Sequence, residues 1–573
     1  MATVAPPEAT PAPDALDQIH APPAGFVRTY IFSLDAKVIG IQYLITSAVF
    51  FIVAGLLAEI IRTQLLTPQG AIVSPSTYNA VYTMHGTAMV WFVIIPLLTG
   101  AFGNYVMPMQ IGARDVAFPW LNLISFWIFP VAGMLLFGSF LIGAPNAGWT
   151  EYPPISLQGP PGTSMWIVAV FLVGISSTLT GINFTVTILK MRAPGMTFTR
   201  MPLFVWAQLA TAPMLLIATT ALNGALGAMF LERTFGIPFF DPRHGGSPIL
   251  WQHMFWFYSH PAVYIMILPA FGMISEILPT FARKPIFGYK MVAFSTVTIA
   301  LLSFSVWAHH MFTSGLAPWL QLWFMIITML IAIPTGIKIF SWMATLWGGA
   351  IWWTTAALFA TGFIITFTCG GLTGFFLAAV PADYHEHGTY FLVAHIHYVL
   401  YGGSMMGLFG GFYYWFPKMS GRMLDETLGK WHFWLTFAGF NATFMPMHAL
   451  GLLGMPRRVA VYEPQFQFWN VFASISSYLL AASILIFAWN IATSLRRGKK
   501  AGPNPWGART LEWMIDSPPP YYNFATIPAV LAAPYDFGNP LPYIGLKPAR
   551  NAVEATPTST TAARWPTPTH LER

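Results

Sequence analysis

Six histidines stand inside long apolar segments of this chain: His85, His260, the adjacent pair His309 and His310, and the alternate pair His395 and His397. An imidazole in hydrocarbon is costly, so six that share one membrane depth point to metal ligation. The chemistry such a set supports is redox catalysis by metals inside a bilayer. Residues 395 and 397 lie two apart on a helix and point about 200° from each other. They cannot bind one metal together and must serve separate centres on opposite faces. His309 and His310 are adjacent, about 100° apart on a helix. They can converge on one ion with a third nitrogen from a neighbouring helix, for which His260 is the available donor. Imidazole-only ligation suits copper or zinc, whereas haem iron takes one or two axial imidazoles.

The elements that hold these residues are read from hydropathy. Hydrophobic residues make up 55% of the 573 and charged residues 8%, against about 25% charged in a soluble globular chain. The chain is a polytopic membrane protein. Apolar stretches long enough to span are expected near 38–61, 80–107, 119–143, 164–189, 202–230, 249–278, 290–313, 319–346, 352–379, 389–416, 431–454 and 469–494. Short Pro/Gly/charged turns separate most of them, which predicts an all-α bundle of about twelve transmembrane helices over 36–497. Residues 1–35 have no basic segment leading into an apolar core and form an N-terminal cytoplasmic tail. Residues 498–573, with Ser517-Pro518-Pro519-Pro520, form an extended, non-spanning C-terminal extension.

Basic residues set the orientation. With the N-terminus inside, the inner loops hold Lys190, Arg192 and Arg200, then Arg283, Lys284 and Lys290, then Lys418, Arg422 and Lys430, and finally Arg496, Arg497, Lys499 and Lys500. The opposite loops hold chiefly Arg62, Arg233, Arg243, Arg457 and Arg458. Both termini are therefore expected inside, on the cytoplasmic face of the membrane. The net charge of +7 follows from this asymmetry and calls for no nucleic acid. The same topology places all six histidines in the outer third to half of the membrane, as a common cofactor layer requires.

The strings Trp256-Phe257-Tyr258-Ser259-His260-Pro261-Ala262-Val263-Tyr264, Trp307-Ala308-His309-His310-Met311-Phe312, Val393-Ala394-His395-Ile396-His397-Tyr398 and Gly454-Met455-Pro456-Arg457-Arg458 resemble subunit I of the haem-copper oxygen reductases. The resemblance runs from about residue 35 to about residue 520 and is closest to the A-type cytochrome c oxidases. It implies two haems, of the a type, and one copper ion. It assigns His85 and His397 to the low-spin haem iron, His395 to the high-spin haem iron, and His260, His309 and His310 to copper. In the family, the tyrosine at the position of Tyr264 is joined covalently to the copper-binding histidine and supplies an electron and a proton when the O–O bond breaks. Tyr264 lies one turn beyond His260 on the same face, as that role needs. Nitric oxide reductases of the same superfamily lack this tyrosine.

Arg457 and Arg458 precede the twelfth helix on the outer side, and their forked guanidinium groups suit haem propionates. Arg62 resembles the arginine beside the low-spin haem's formyl group. Proton supply must come from inside. Asp115 with Asn104 and Asn122 resembles the mouth of the family's D-channel, which Ser176 and Ser177 continue. A second path is legible directly: Ser275 is about three turns from Tyr264 on one face, and Lys338 with Thr335 lies in the inner half of helix eight. A lysine there is costly and usually functional, and these residues match the family's K-channel.

The chain departs from the family pattern in several places. Ala262 stands where many members have the glutamate at the top of the D-channel, and Tyr258 and Ser259 just upstream are expected to relay protons in its place. At the outer magnesium or manganese site His387 matches a ligand, but Gly388 replaces the usual aspartate, leaving Asp383 or Glu386 to substitute. Trp120 replaces an arginine and Ala36 a histidine. Cys369 is the sole cysteine, which excludes an internal disulfide, a Cys-x-x-Cys-His haem attachment and a two-cysteine dinuclear copper site. The resemblance implies that such a copper site, where there is one, belongs to a partner, subunit II, joined by subunit III, with cytochrome c or a similar protein as the expected donor, O2 as acceptor and lipid around the whole. A quinol oxidase differs in lacking the partner's copper site; an ion transporter lined by histidines would hold neither haem nor copper.

Overall fold

Short polar side chains and prolines fix where the helices begin. The Asp35 carboxylate accepts the Lys37 amide ahead of α1 (Ala36–Gln64), Ser74 the Thr77 amide ahead of α2 (Pro75–Gln110), and Ser247 the Leu250 amide ahead of α6 (Pro248–Ala282). Thr354, Thr389 and Asp425 cap α9 (Thr355–Ala378), α10 (Tyr390–Ser420) and α11 (Glu426–Leu452) in the same way. The remaining helices are α3 (Pro119–Ile142), α4 (Gly162–Lys190), α5 (Leu203–Phe235), the shorter α7 (Tyr289–Ser303), α8 (Pro318–Leu346) and α12 (Pro464–Arg497). These twelve segments, in a computed structural model that describes residues 25–70, 72–537 and 543–544, follow the expected twelve stretches one for one. Ten are long and apolar enough to cross a membrane by length and composition. The exceptions are the short α7 and α11, whose apolar run is broken by Lys430, His432, Asn441 and His448.

Successive helices pack side by side, α5 against α4 and α6, and α12 against both α11 and α1. The centre is held by α2 and α6, 89% buried over their apolar windows, whereas α1 is 11% buried and faces outward. Two of the histidine helices loosen into wide π-helical turns just past their ligands: α2 over Ala88–Ile94 and Pro96–Gly103, and α10 over Leu400–Met405. Such turns often accompany functional sites. The seventh segment differs from expectation. Its α-helix ends at Ser303, and His309 and His310 sit on a tight turn, Trp307–Met311, about 120° apart and not 100°. Contacts to α6 and α8 fix that turn: His310 stacks on Trp256 and His309 bonds Thr328.

Main-chain contacts sort the loops by end. At one end Arg457 N donates to Gly388 O, Tyr462 N to Pro68 O, and the Trp251 indole to Thr150 O. At the other, basic end the C-terminal extension touches Ala113, Pro194, Arg283 and Lys418 in turn. This corrects the expectation of a merely extended tail. Residues 498–537 do not span, but they are packed, with Trp506, Leu511, Trp513, Val530 and Tyr535 buried. Glu512 accepts from Gln110 at 3.0 Å and Trp415 at 3.2 Å, and Lys418 donates to three tail carbonyls. Scattered apolar anchors that join the main core, together with these buried polar pairs, hold the tail, which is why proline content alone misled. Most of the tail expected over 1–35 and the end of the extension lie outside the described residues.

The packing of α10 on α11 leaves no space at Gly451, where an added Cβ would stand 2.1 Å from the Phe391 amide nitrogen. Gly451→Ala should therefore cost about 1–3 kcal/mol through forced helix separation and loosen the turn that carries His395. The check is a lower thermal transition together with reduced haem retention. Gly227→Ala, with nothing within 4 Å of its Cβ, should be neutral or stabilising by about 0.5–1 kcal/mol.

Candidate metal centres and proton paths

His85 on α2 and His397 on α10 face each other with ring centres 6.4 Å apart and planes within 10°. Each ring spends Nδ1 on a main-chain carbonyl, His85 on Ala54 O at 2.9 Å and His397 on Val393 O at 2.8 Å. Donation from Nδ1 fixes the tautomer and leaves the Nε2 lone pairs for a metal. Two bonds of ~2.0 Å, with ~1.1 Å from nitrogen to ring centre on each side, give ~6.2 Å between rings. The slot thus fits one iron with two axial imidazoles. Phe444 of α11 lies flat on His397 at 4.1 Å and holds its plane.

His395 turns the other way from α10. Its Nδ1 meets Gly370 O at 3.1 Å and Thr373 Oγ1 at 3.0 Å on α9. An added Cβ at Gly374 would stand 2.8 Å from His395 Cε1, so the ring's seat requires glycine there. As expected from the two-residue spacing, His395 and His397 serve separate places.

The third group is His260, His309 and His310, whose ligand nitrogens all lie within 4.8 Å of one another. His260 Nδ1 is 3.2 Å from His310 Nε2, and His309 Nε2 is 3.0 Å from the same atom. Three nitrogens ~2.0 Å from one ion stand ~3.3–3.5 Å apart, so the cluster fits a single three-imidazole ion. His309 Nδ1 is anchored by Thr328 at 3.0 Å, and Trp256 stacks on His310 at 3.7 Å. The Tyr264 ring lies 4.7 Å from His260, whose Nε2 is buried without a hydrogen-bond partner. That nitrogen is the one available to the tyrosine link expected from the resemblance.

The arginines are equally suggestive. Arg62 is buried, with Nη2 bonded to Asn470 O and Ser474 Oγ at 2.9 Å each, while Nε and Nη1 have no partner. Two unmet donors on a buried cation fit an acceptor on a bound group. Arg458 lies 5.8 Å over the Tyr82 ring, one turn before His85. Neither it nor Arg457 closes an ion pair among the described residues. Burial, and then the charge of Arg458, bring the Arg457 guanidinium down to about 9, a strain that an anionic group would relieve. Nearby Glu151, unnoticed in the sequence, is a buried carboxyl pushed up to about 8 by burial, with Arg233 and Arg458 as opposing charges.

The polar residues near the basic end fall into two sets. In the first, Asp115 Oδ1 accepts the Val116 amide at 2.7 Å and the Ala36 amide at 3.3 Å. Asn104 Oδ1 and both amide atoms of Asn122 are buried without partners, places suited to water. Beyond them Tyr43 links Ser125 and Ser176 at 3.3 Å each; Ser177 points about 100° round the helix from Ser176. Tyr43 and Ser125 were missed because only the packing of α1 against α3 and α4 brings them beside Ser176. In the second set Lys338 is fully buried and donates to Val292 O at 2.9 Å and to Thr296 Oγ1, while Trp342 donates to Ser275 Oγ at 3.0 Å. Lys338 and Ser275 meet around Phe271, but the ammonium is turned toward α7, and Thr335 bonds its own helix at Ile331 O. Tyr258 accepts from Trp91 at 3.1 Å, and Ser259 Oγ is buried without a partner. At the opposite end His387 Nδ1 meets Asp383 Oδ2 at 3.0 Å, and Glu386 accepts from Thr389.

Comparison with known proteins agrees with this geometry. A family model described as cytochrome c and quinol oxidase polypeptide I matches residues 38–479. The cytochrome c oxidase subunit 1 of Synechocystis sp. is 54% identical over 510 residues, covering 89% of this chain and 92% of its own length. That of Bacillus subtilis is 47% identical over 506 residues, covering 87% and 81%. In fold the chain is similar to a solved heme-copper terminal oxidase dimer, with a TM-score of 0.67 at 17% identity over 81% of this chain and 84% of that one. The facing imidazole pair, the third imidazole on α10 and the three-imidazole cluster all lie within the matched span, which reaches from the start of α1 into α12, and the chain belongs to the cytochrome c and quinol oxidase polypeptide I family.

Proposed function

We propose that this chain is the catalytic subunit of a terminal oxidase that reduces O2 to water and couples the reaction to outward proton movement. The observation that carries the reading is the division of six imidazoles into a facing pair, a single ring and a trio. Two haems, of the a type, and one copper ion supply electron storage and the O2-binding pair when bound. His85 and His397 would hold the first haem iron, His395 the second, and His260, His309 and His310 the copper. Arg62, Arg457 and Arg458 would neutralise the haems' polar edges. Electrons come from cytochrome c through a dinuclear copper site on subunit II, with subunit III completing the complex in a bacterial inner membrane and both termini cytoplasmic. Asp383 and His387 are the groups left to hold a magnesium or manganese ion at the outer site.

The chain's own part is to position these groups and to move protons. Tyr264 holds a phenolic proton against the His260 ring. Lys338 carries protons from the basic end toward Tyr264 past Ser275, its ammonium turning from Val292 and Thr296. Asp115, Asn104, Asn122, Tyr43, Ser125 and Ser176 lead protons inward along α3 and α4. Ala262 cannot hold a proton, so Tyr258 and Ser259 complete that path, a hydroxyl relay passing protons without burying a charge. Tyr258 uses its oxygen to accept from Trp91 and keeps its own proton free to donate.

Purified complex should contain two haems and one copper in this subunit and oxidise cytochrome c at the expense of O2. His85→Ala should abolish the low-spin spectrum with copper retained. His309→Ala should deplete copper with both haems bound. Turnover should fall by at least roughly 100-fold in each. Copper content unchanged in His309→Ala would sink the three-imidazole site.

Lys338→Met should slow reduction of the high-spin haem by roughly 100-fold, because an electron entering that dry centre needs a compensating proton; low-spin haem reduction should be preserved. Tyr258→Phe keeps the ring and removes the hydroxyl link. Turnover or pumping in vesicles should drop by roughly 10-fold or more with normal metal content. Parental rates in either variant would show that its side chain is structural.

A further inference from the structure

Asp115 is approached by a charged pair that the proposed proton path does not use. Asp35 and Lys37 open α1 and are both buried, 4% and 9% exposed. Lys37 Nζ meets Asp35 Oδ2 at 3.0 Å, while Asp35 Oδ1 accepts the Lys37 amide at 2.7 Å. The residue between them, Ala36, donates its amide to Asp115 Oδ1 at 3.3 Å. A helix start needs only an oxygen acceptor, which serine or asparagine supplies without charge. A buried ion pair is weak evidence for stability, since desolvation offsets the attraction. The charge on Asp35 and the burial of Lys37 therefore call for another explanation.

The surroundings of Asp115 supply one. Its carboxyl is pushed up to about 7, first by burial and next by the charge of Asp35, while the Val116 amide, Lys37 and the Ala36 amide act in the opposite sense. The other titratable groups facing this spot are Tyr105 near the end of α2, which feels Asp35, and Tyr521 of the tail, which feels both aspartates; the neighbouring Arg114 turns its Nη2 to the tail carbonyl of Ala525 at 3.0 Å. Asn523 straps the tail to the Ala113 and Arg114 carbonyls at 3.0 and 3.2 Å. The loop holding Asp115 is thus clamped between the start of α1 and the C-terminal extension.

We propose that the Asp35–Lys37 pair sets the proton affinity of Asp115, and with it the pH range over which the proton path is loaded. The proposal rests on reading Asp115 as the mouth of that path. Asp35 opposes a second negative charge beside it and so favours protonated Asp115; Lys37 neutralises part of Asp35 and limits the effect. Asp35 and Lys37 are positioning residues: they act through Asp115 and touch no substrate. Asp115 feels the charges of both Asp35 and Lys37, so removing either neighbour's charge moves the carboxyl at 115.

The pair makes predictions of opposite sign that loss of structure would not. Asp35→Asn keeps a good helix cap and removes only the charge; Lys37→Met keeps most of the side-chain volume and removes the cation. In the purified full complex, the infrared carbonyl band of protonated Asp115, identified by its loss in Asp115→Asn, is titrated through the neutral range. Its midpoint should fall by about one unit in Asp35→Asn and rise by a similar amount in Lys37→Met, and the pH profile of turnover should shift in the same two directions. A midpoint that stays fixed in both variants, or moves the same way in both, overturns the proposal. Undiminished proton uptake in Asp115→Asn would instead overturn the role of Asp115 as a mouth, an outcome the band titration does not depend on.

Discussion

An imidazole buried in an apolar bundle must spend its N–H on something, and three of the rings here spend it on main-chain carbonyls. Ala54 O on α1, Val393 O on α10 and Gly370 O on α9 receive Nδ1 of His85, His397 and His395. The rest of the metal layer depends on these bonds. They choose the tautomer, turn Nε2 inward, and tie each ring's plane to the rotation of a helix. A few degrees of helix rotation would therefore displace a ligand nitrogen by a sizeable part of a bond length. Close seats at Gly374 and Gly451, where no Cβ can enter, hold that rotation in register.

The two ends of the bundle solve different electrostatic problems. At the end above the histidines, Arg62, Arg457 and Arg458 are left without ion-paired carboxylates among the described residues, three cations suited to anionic groups of a bound cofactor. At the basic end, cations are answered by carbonyls: Lys418 by Pro503, Ile515 and Asp516, and Arg283 by Trp506. One end keeps its charge for a guest. The other spends it on the chain itself.

The helices were legible in the sequence from period and spacing, and the assignment of ligands, arginines and proton-path residues from the resemblance of their motifs to a known family. Helices of 20 or more apolar residues declare themselves, and the i, i+2 spacing of His395 and His397 alone separated two centres. What was not legible depends on contacts between distant segments. Trp256 was visible one turn before His260, yet nothing in the sequence places its ring on His310 across to the next helix. The break after Ser303 was hidden because a tight turn and a helix end carry the same apolar residues. Nothing in the sequence singles out Asp35 and Lys37; only burial and the amide of Ala36, which meets Asp115 across 79 residues, connect them to it.

The C-terminal extension bears on the order in which the molecule can be completed. Glu276 lies at the base of α6 and accepts from Tyr535, while Gln110 at the base of α2 donates to Glu512. Both partners are synthesised after the whole bundle. Until the ribosome has released them, α2 and α6 reach the basic end of the bundle with an amide and a carboxyl still open to water, and the floor beneath the histidine layer is unsealed. Maturation of the bundle and closure of its floor are thus separated in time by the chain's own direction of synthesis.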